Sequence, residues 1–218
     1  DEVSPHYVEA LLTYEDRWFR HHPGVNPLSL LRAGGQWIAN GRVVSGGSTL
    51  TMQVARILEP HRRTPLGKLR QALRALQLEW RLDKDEILAL YLNHAPFGGP
   101  IEGVEAASWA YLGKPARELS RAEAALLAVL PQAPSRLRPD RHPQAAQAAR
   151  DKVLARMAAQ GVWTPAQVDD ARLESVVARR LQPPMSAALL ARRLRSADPA
   201  TTRIRSTLDA GLQRVLEE

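Results

Sequence analysis

Glu15 heads a short run, Glu15-Asp16-Arg17-Trp18-Phe19, with His22, Gly24 and Asn26 close behind. Neighbouring acids cannot share one helix face, so at most one of Glu15 and Asp16 points into a given cleft while the other can act as a structural partner. Apolar Trp18 and Phe19 beside Glu15 would raise its pKa by desolvation, which is the tuning a general base needs. The alternative is an acid on a solvated helix end paired with Arg17 or Arg20. Further on, Gly46-Gly47-Ser48-Thr49-Leu50-Thr51-Met52-Gln53 combines glycines, whose backbone N–H groups can approach a ligand closely, with three hydroxyls at the start of a helix. That combination suits an anion. It lacks the Gly-Lys-Ser/Thr ending of a P-loop, and the structural alternative is a glycine turn with Ser48 as a plain N-cap. A basic tract follows, with Arg56, Arg62, Arg63, Lys68, Arg70, Arg74 and Arg81 against Glu59 and Glu79, a net of +5. Alone it reads as a solvated face; beside a donor-rich loop it offers fixed cations where a diphosphate leaves. His21, His22, His61 and His94 lack a His-Glu-x-x-His or comparable ligand spacing, so no metal site is expected of them.

Helices must position these groups. Apolar residues recur three and four apart, and start signals precede the periodic stretches. Ser4-Pro5 offers an N-cap and a first-turn proline, opening a helix through Leu11 and Leu12 toward Glu15. Asp83 with Glu86, and Ser120 with Glu123, have capping-box spacing, and Thr164-Pro165 starts another helix. Strand signals are thin outside 201–208. Turns cluster at Gly34-Gly35, Gly46-Gly47 and Pro96 to Pro100. Trp37, Trp80, Trp109 and Trp163 are spread too widely for a base-stacking platform and read as core or cleft wall. From Arg179 to Arg205 seven arginines face one acid, Asp198, which reads as a linker or an exposed basic helix.

Composition narrows the function classes. The 218 residues suit one domain, or one plus a fragment of a second. The absence of cysteine excludes disulfides, a thiolate nucleophile and Cys-ligated zinc. The formal charge is +7, and 26 of the 30 cations are arginine, whose planar fork grips phosphate and carboxylate bidentately. No uncharged apolar run reaches the ~18 residues of a membrane span. The opening residues lack a basic start and an apolar stretch, so no signal peptide is expected.

In order, EDRWFRHHPGVN from Glu15, GGSTLTMQVAR from Gly46, GKLRQALRALQLEW from Gly67, DEILALYLN from Asp85 and RAEAALLAVLPQAPS from Arg121 resemble the peptidoglycan glycosyltransferase domain, glycosyltransferase family 51. That domain occurs in class A penicillin-binding proteins and monofunctional transglycosylases. SGGSTLTMQVAR and the APFGG after Asn93 look like the 1C-type subgroup. The resemblance covers 1–165. It leaves 166–200 as a helical, basic linker, and TTRIRSTLDAGLQ within 201–218 looks like the start of a truncated transpeptidase domain.

The resemblance implies a mainly α fold: a lysozyme-like catalytic lobe and a smaller membrane-facing lobe. It also implies lipid II and the growing undecaprenyl-diphosphate glycan as partners, the membrane surface as a neighbour, and no nucleic acid. Moenomycin-type inhibitors are expected to bind. The expected location is the periplasmic face of the bacterial inner membrane, anchored by a segment upstream of Asp1. Carried over residue by residue, Glu15 matches the catalytic base, with Asp16 beside it. Ser48, Thr49, Gln53 and Arg56 match positions that hold donor phosphates and sugar, and Arg63, Lys68 and Arg70 match those assigned to the diphosphate. Asn93 closes the fourth block.

Relatives usually carry a second glutamate in the third block, where Gln71 stands here. An amide cannot bind a divalent cation as a carboxylate does, though it can orient a sugar or phosphate. The expectation is therefore no required cofactor, with Mg²⁺ or Mn²⁺ at the diphosphate less important than where two acids are present. Glu79 is a poor stand-in, ~12 Å further along the helix axis. Arg56 replaces a common lysine, Ala89 a common acid and Ser45 a common glutamine. Two other readings carry their own signatures. A lysozyme-like glycan-cleaving enzyme would have no diphosphate to neutralise, and a basic helical module binding anionic lipid or nucleic acid would not need Glu15. Residues 24–45, with Trp37 and Ile38, read as a flap whose apolar face touches lipid, or as an ordinary helical hairpin.

Overall fold

The computed structural model describes residues 3–27, 47–62, 64–175, 188–199, 201, 206, 207 and 209. Arg63, Trp37, Ile38 and most of 201–218 lie outside the described residues, and so do the expectations placed on them. Among the described residues the chain is mainly α, as expected, with one short hairpin.

In chain order the helices are α1 (Pro5–Glu15), α2 (Leu50–Leu58), α3 (Pro65–Arg81) and α4 (Lys84–His94). A hairpin of β1 (Pro96–Gly98) and β2 (Ile101–Glu102) follows, antiparallel, and then α5 (Val104–Leu112), α6 (Arg121–Val129), α7 (Pro134–Leu137), α8 (Pro143–Ala159) and α9 (Pro165–Leu173). Asp83 and Ser120 form complete capping boxes with Glu86 and Glu123, the spacing that marks those starts in the sequence. Ser4 does not cap α1: its hydroxyl donates to the Leu119 carbonyl at 3.1 Å, so tertiary packing takes the group that local chemistry would have used.

Helix α6 is the axis of the core. Ala122, Ala124, Ala125, Leu126, Leu127, Ala128 and Val129 are all buried, the signature of a helix covered on every side. Its small residues let α1 and α8 pack closely, and α9 packs on both α6 and α8. Arg150 of α8, fully buried, donates to the backbone carbonyls of Glu174 and Arg172 and to Asp151, so each end of its fork has a partner. The packed unit therefore runs past residue 165 and extends over Asp1–Arg180. A second layer, α2 against α3 and α4, carries the remaining site residues. The other compact unit, Leu181–Glu218, contains one described helix, α10 (Ala188–Ala197), which carries the exposed Arg192, Arg193 and Arg195.

Gly24 fixes how the loop after α1 meets this second layer. Its φ is 83°, and a Cβ there would sit 2.8 Å from the Ala75 carbonyl oxygen of α3. Only glycine accepts both constraints.

Candidate active site

Glu15 is the last residue of α1, partly buried. Its Oε2 accepts from Gln53 Nε2 at 2.8 Å and its Oε1 from Gln132 Nε2 at 2.7 Å. The solvated-pair alternative is therefore not what the chain adopts: Arg17 donates to Gln160 and Arg20 to Asp85. Burial pushes the Glu15 carboxyl above its ordinary range; the two amide donors and the nearby Arg156 charge oppose that rise, and Asp16 adds to it. A carboxylate at a helix C-terminus also meets the negative end of the helix dipole. The result is a base with enhanced proton affinity, held at both oxygens.

Asp16, expected among the substrate contacts, is turned the other way. It is 7% exposed, and its oxygens accept the His22 Nε2 proton at 3.0 Å and the Leu50 N–H at 2.8 Å. Its part is to clamp the loop after α1 to the first turn of α2. Thr49 is corrected in the same way. It is buried, caps α2 by accepting from the Met52 N–H at 3.1 Å, and donates its hydroxyl to the Gly24 carbonyl. Two N–H groups at the start of α2 are thus satisfied by the protein itself, so the glycine loop does not offer them to an anion.

Cations gather instead one helix away. Lys68 Nζ donates to Ser48 Oγ and, at 3.1 Å, to Gln71 Oε1. Burial, and then the Arg56 charge, hold the Lys68 ammonium below its usual range. Gln71 is buried and its Nε2 donates to the Met52 carbonyl. A carboxylate at this position would lose that bond and set like partial charges together, which explains the amide. The local donors are an ammonium, a hydroxyl and an amide already committed at both ends. They do not fit a divalent cation. Among the described residues no three His, Asp or Glu side chains converge. Glu79 is no substitute, because its Oε1 accepts from Thr51 Oγ1 and Lys84 Nζ, both at 2.6 Å.

Helix α2 joins the two centres: Gln53 reaches the carboxylate, and Arg56, three residues on, brings the positive charge that Lys68 feels. Arg70 and Asn93 are not brought in. Arg70 is two residues from Lys68 and so faces away from it; it pairs with Glu59, which also accepts from Arg74 Nε at 2.7 Å. Asn93 Nδ2 donates to the Ala89 carbonyl of its own helix at 2.9 Å. Trp163 is core, and Trp80, 90% exposed, lines the rim of a cavity of about 620 Å³ with Leu58, Leu78 and Arg74, so the two take the core and the cleft-wall readings respectively. Gln132 was missed as an individual residue; only its place in the fifth block hinted at it.

Residues 1–158 match the Transglycosylase family. The whole chain aligns with penicillin-binding protein 1C of Escherichia coli K12 at 61% identity over 218 residues, 28% of that protein. Penicillin-binding protein 1A of Aquifex aeolicus is 44% identical over 172 residues, 78% of this chain and 24% of that one. A crystal structure of penicillin-binding protein 1A from Haemophilus influenzae superimposes with a TM-score of 0.44 at 25% identity, covering 69% of this chain and 20% of that one. The chain spans between a fifth and a third of the length of these relatives.

Proposed function

Because the chain belongs to the transglycosylase family, we propose that it is the peptidoglycan glycosyltransferase domain of a class A penicillin-binding protein, with a lysozyme-like catalytic lobe. It polymerises lipid II into β-1,4-linked glycan on undecaprenyl diphosphate. The observation that carries this reading is the pairing, across α2, of a half-buried carboxylate fixed by neutral donors with an ammonium that meets no acid among the described residues and that feels the Arg56 charge.

In this mechanism Glu15 removes the proton from the 4-hydroxyl of the acceptor GlcNAc as that oxygen attacks the anomeric carbon of the donor MurNAc. The bond to the diphosphate breaks, the α-linked donor becomes a β-1,4 product, and the proton stays on Glu15 until it passes to solvent. The logic is that of an inverting glycosidase with a sugar hydroxyl in place of water. Lys68 and Arg56 face the charge that develops on the leaving diphosphate, with Ser48 as a hydroxyl donor and Gln71 holding Lys68 in place. Arg63 belongs to the same proposal from the sequence alone. A glycan-cleaving enzyme would have no leaving group for this cation pair.

The membrane surface is the proposed neighbour. Leu66, Leu69, Leu73, Leu76 and Trp80 form one exposed apolar row along α3, flanked by Arg70, Arg74 and Arg81. That supports action at a membrane surface; the periplasmic face of an inner membrane and the binding of moenomycin-type inhibitors enter the proposal from the family resemblance alone. The test is polymer formation from purified lipid II: wild type makes glycan, and Glu15→Gln loses on the order of 10²–10⁴-fold in turnover. Release of fragments from finished glycan without any polymer would replace this reading with cleavage.

A further inference from the structure

The two oxygens of the Glu15 carboxylate are gripped by side chains that come from far apart in the sequence. Gln53 on α2 takes Oε2, and Gln132, 117 residues from Glu15, takes Oε1. Gln132 ends a single 3-10 turn, Leu130–Gln132, that continues directly from the buried helix α6. The Ala133 N–H closes that turn onto the Leu130 carbonyl at 3.1 Å, and Leu130 is fully buried. The backbone that presents Gln132 is therefore anchored in the core, although the side chain itself reaches the surface.

The charges around Glu15 come from several elements. Tyr7 on α1 and Tyr91 on α4 are buried, and burial holds their hydroxyls neutral. Tyr14 precedes Glu15, and its hydroxyl is also pushed up by burial. Asp16 is already engaged by His22 and Leu50. The charge of Arg156 on α8 opposes the effect of burial on the carboxylate, and its guanidinium lies 5.4 Å from the centre of the Tyr14 ring. That stacking holds the cation on the ring beside Glu15 in sequence, and among the described residues it forms no ion pair.

We infer that Gln132 and Arg156 are positioning residues for Glu15: the Gln132 amide fixes the plane of the carboxylate through Oε1, and Arg156 holds a positive charge over the ring of Tyr14, the residue before Glu15. The inference rests on the transferase reading. An unfixed carboxylate would rotate and sample protonated states, and the barrier would rise through misplacement of the base and not through weaker substrate binding.

The experiment is the pH dependence of initial lipid II polymerisation by the intact protein, with kcat and KM separated. For Gln132→Met, which keeps shape and loses the donor, kcat falls about 10-fold, KM stays within about 2-fold, and the acid limb moves up by about one pH unit. Gln132→Lys keeps a donor and adds charge, so the acid limb moves down. Arg156→Met moves it up by about 0.3 unit, and Arg156→Lys restores it. If the Gln132→Met protein melts early, the downward shift in Gln132→Lys and the upward shift in Arg156→Met carry the test. Acid limbs that superimpose on wild type in all four variants, while Glu15→Gln is inactive, overturn the inference and leave the transferase reading standing. Absence of polymer from wild type, or full activity of Glu15→Gln, overturns both.

Discussion

The two charged centres that α2 joins are held in the same way, and the arginines further along α3 in another. The carboxylate of Glu15 is met by two neutral amides, and Lys68 by a hydroxyl and an amide. Among the described residues neither forms an ion pair, so each keeps its charge available. A turn away on α3, Arg70 and Arg74 share Glu59 and are neutralised in solvent. The contrast teaches that the count of cations in the basic tract says little. What matters is whether a cation is held by neutral acceptors or cancelled by an acid, because a departing diphosphate could recruit only the first kind at no cost in broken ion pairs.

Replacing the two cations separately breaks or sharpens that contrast most. Lys68→Met is expected to lower kcat/KM by about 10²-fold, as for a lost donor at developing charge, whereas Arg70→Met changes it by less than about 3-fold because an exposed, already paired arginine has little to give. Equal losses in steady-state polymerisation would erase the distinction. Next in size is Asp16→Ala. It strips the clamp between the loop and α2 and leaves His22 and the Leu50 N–H buried without a partner, at a cost of about 3 kcal/mol. Thermal melting should fall by roughly 6–12 °C for a unit of this size, and an unchanged melt would return Asp16 to the substrate side.

The pH behaviour separates the two centres. The Glu15 pKa is raised chiefly by burial, so the fold disfavours its charged form. The stability associated with the protonated form is present at low pH and is lost as pH rises through that raised pKa. Activity runs the other way, gained as pH rises through the same value because the base must be ionised. Glu15→Gln should therefore melt no lower than wild type at neutral pH while losing turnover; a lower melt would show that the charge stabilises the fold. The smallest effect concerns metal. Chelation should change the rate by less than about 2-fold, since the groups around Lys68 offer no carboxylate to a divalent cation. Equal Mg²⁺ stimulation of wild type and Gln71→Glu would remove the link between Gln71 and metal independence.

Local chemistry was legible and long-range chemistry was not. The capping boxes at Asp83 and Ser120 were readable because they depend on residues three apart. Glu15 and Lys68 stood out through residue type in recognisable blocks. Asp16 was misjudged because its partners, His22 and the Leu50 N–H, come from a loop and a helix whose docking no periodicity reveals. Thr49 resembles an anion ligand and an N-cap equally well in sequence, and only the fold decides between them. Arg70 looks equivalent to Lys68 on a line of letters, but 200° of helical rotation sends it to Glu59. Gln132 was invisible as a partner because 117 residues separate it from Glu15.

One measurement bears most directly on the central claim, that Glu15 is the base and Lys68 the cation facing the leaving group: single-turnover transfer from lipid II by Glu15→Gln, Lys68→Met and the double variant. If both act in one transition state, each single change costs on the order of 10² or more, and the double costs less than their product. Full transfer by Glu15→Gln, or losses that multiply as for independent sites, would contradict the account.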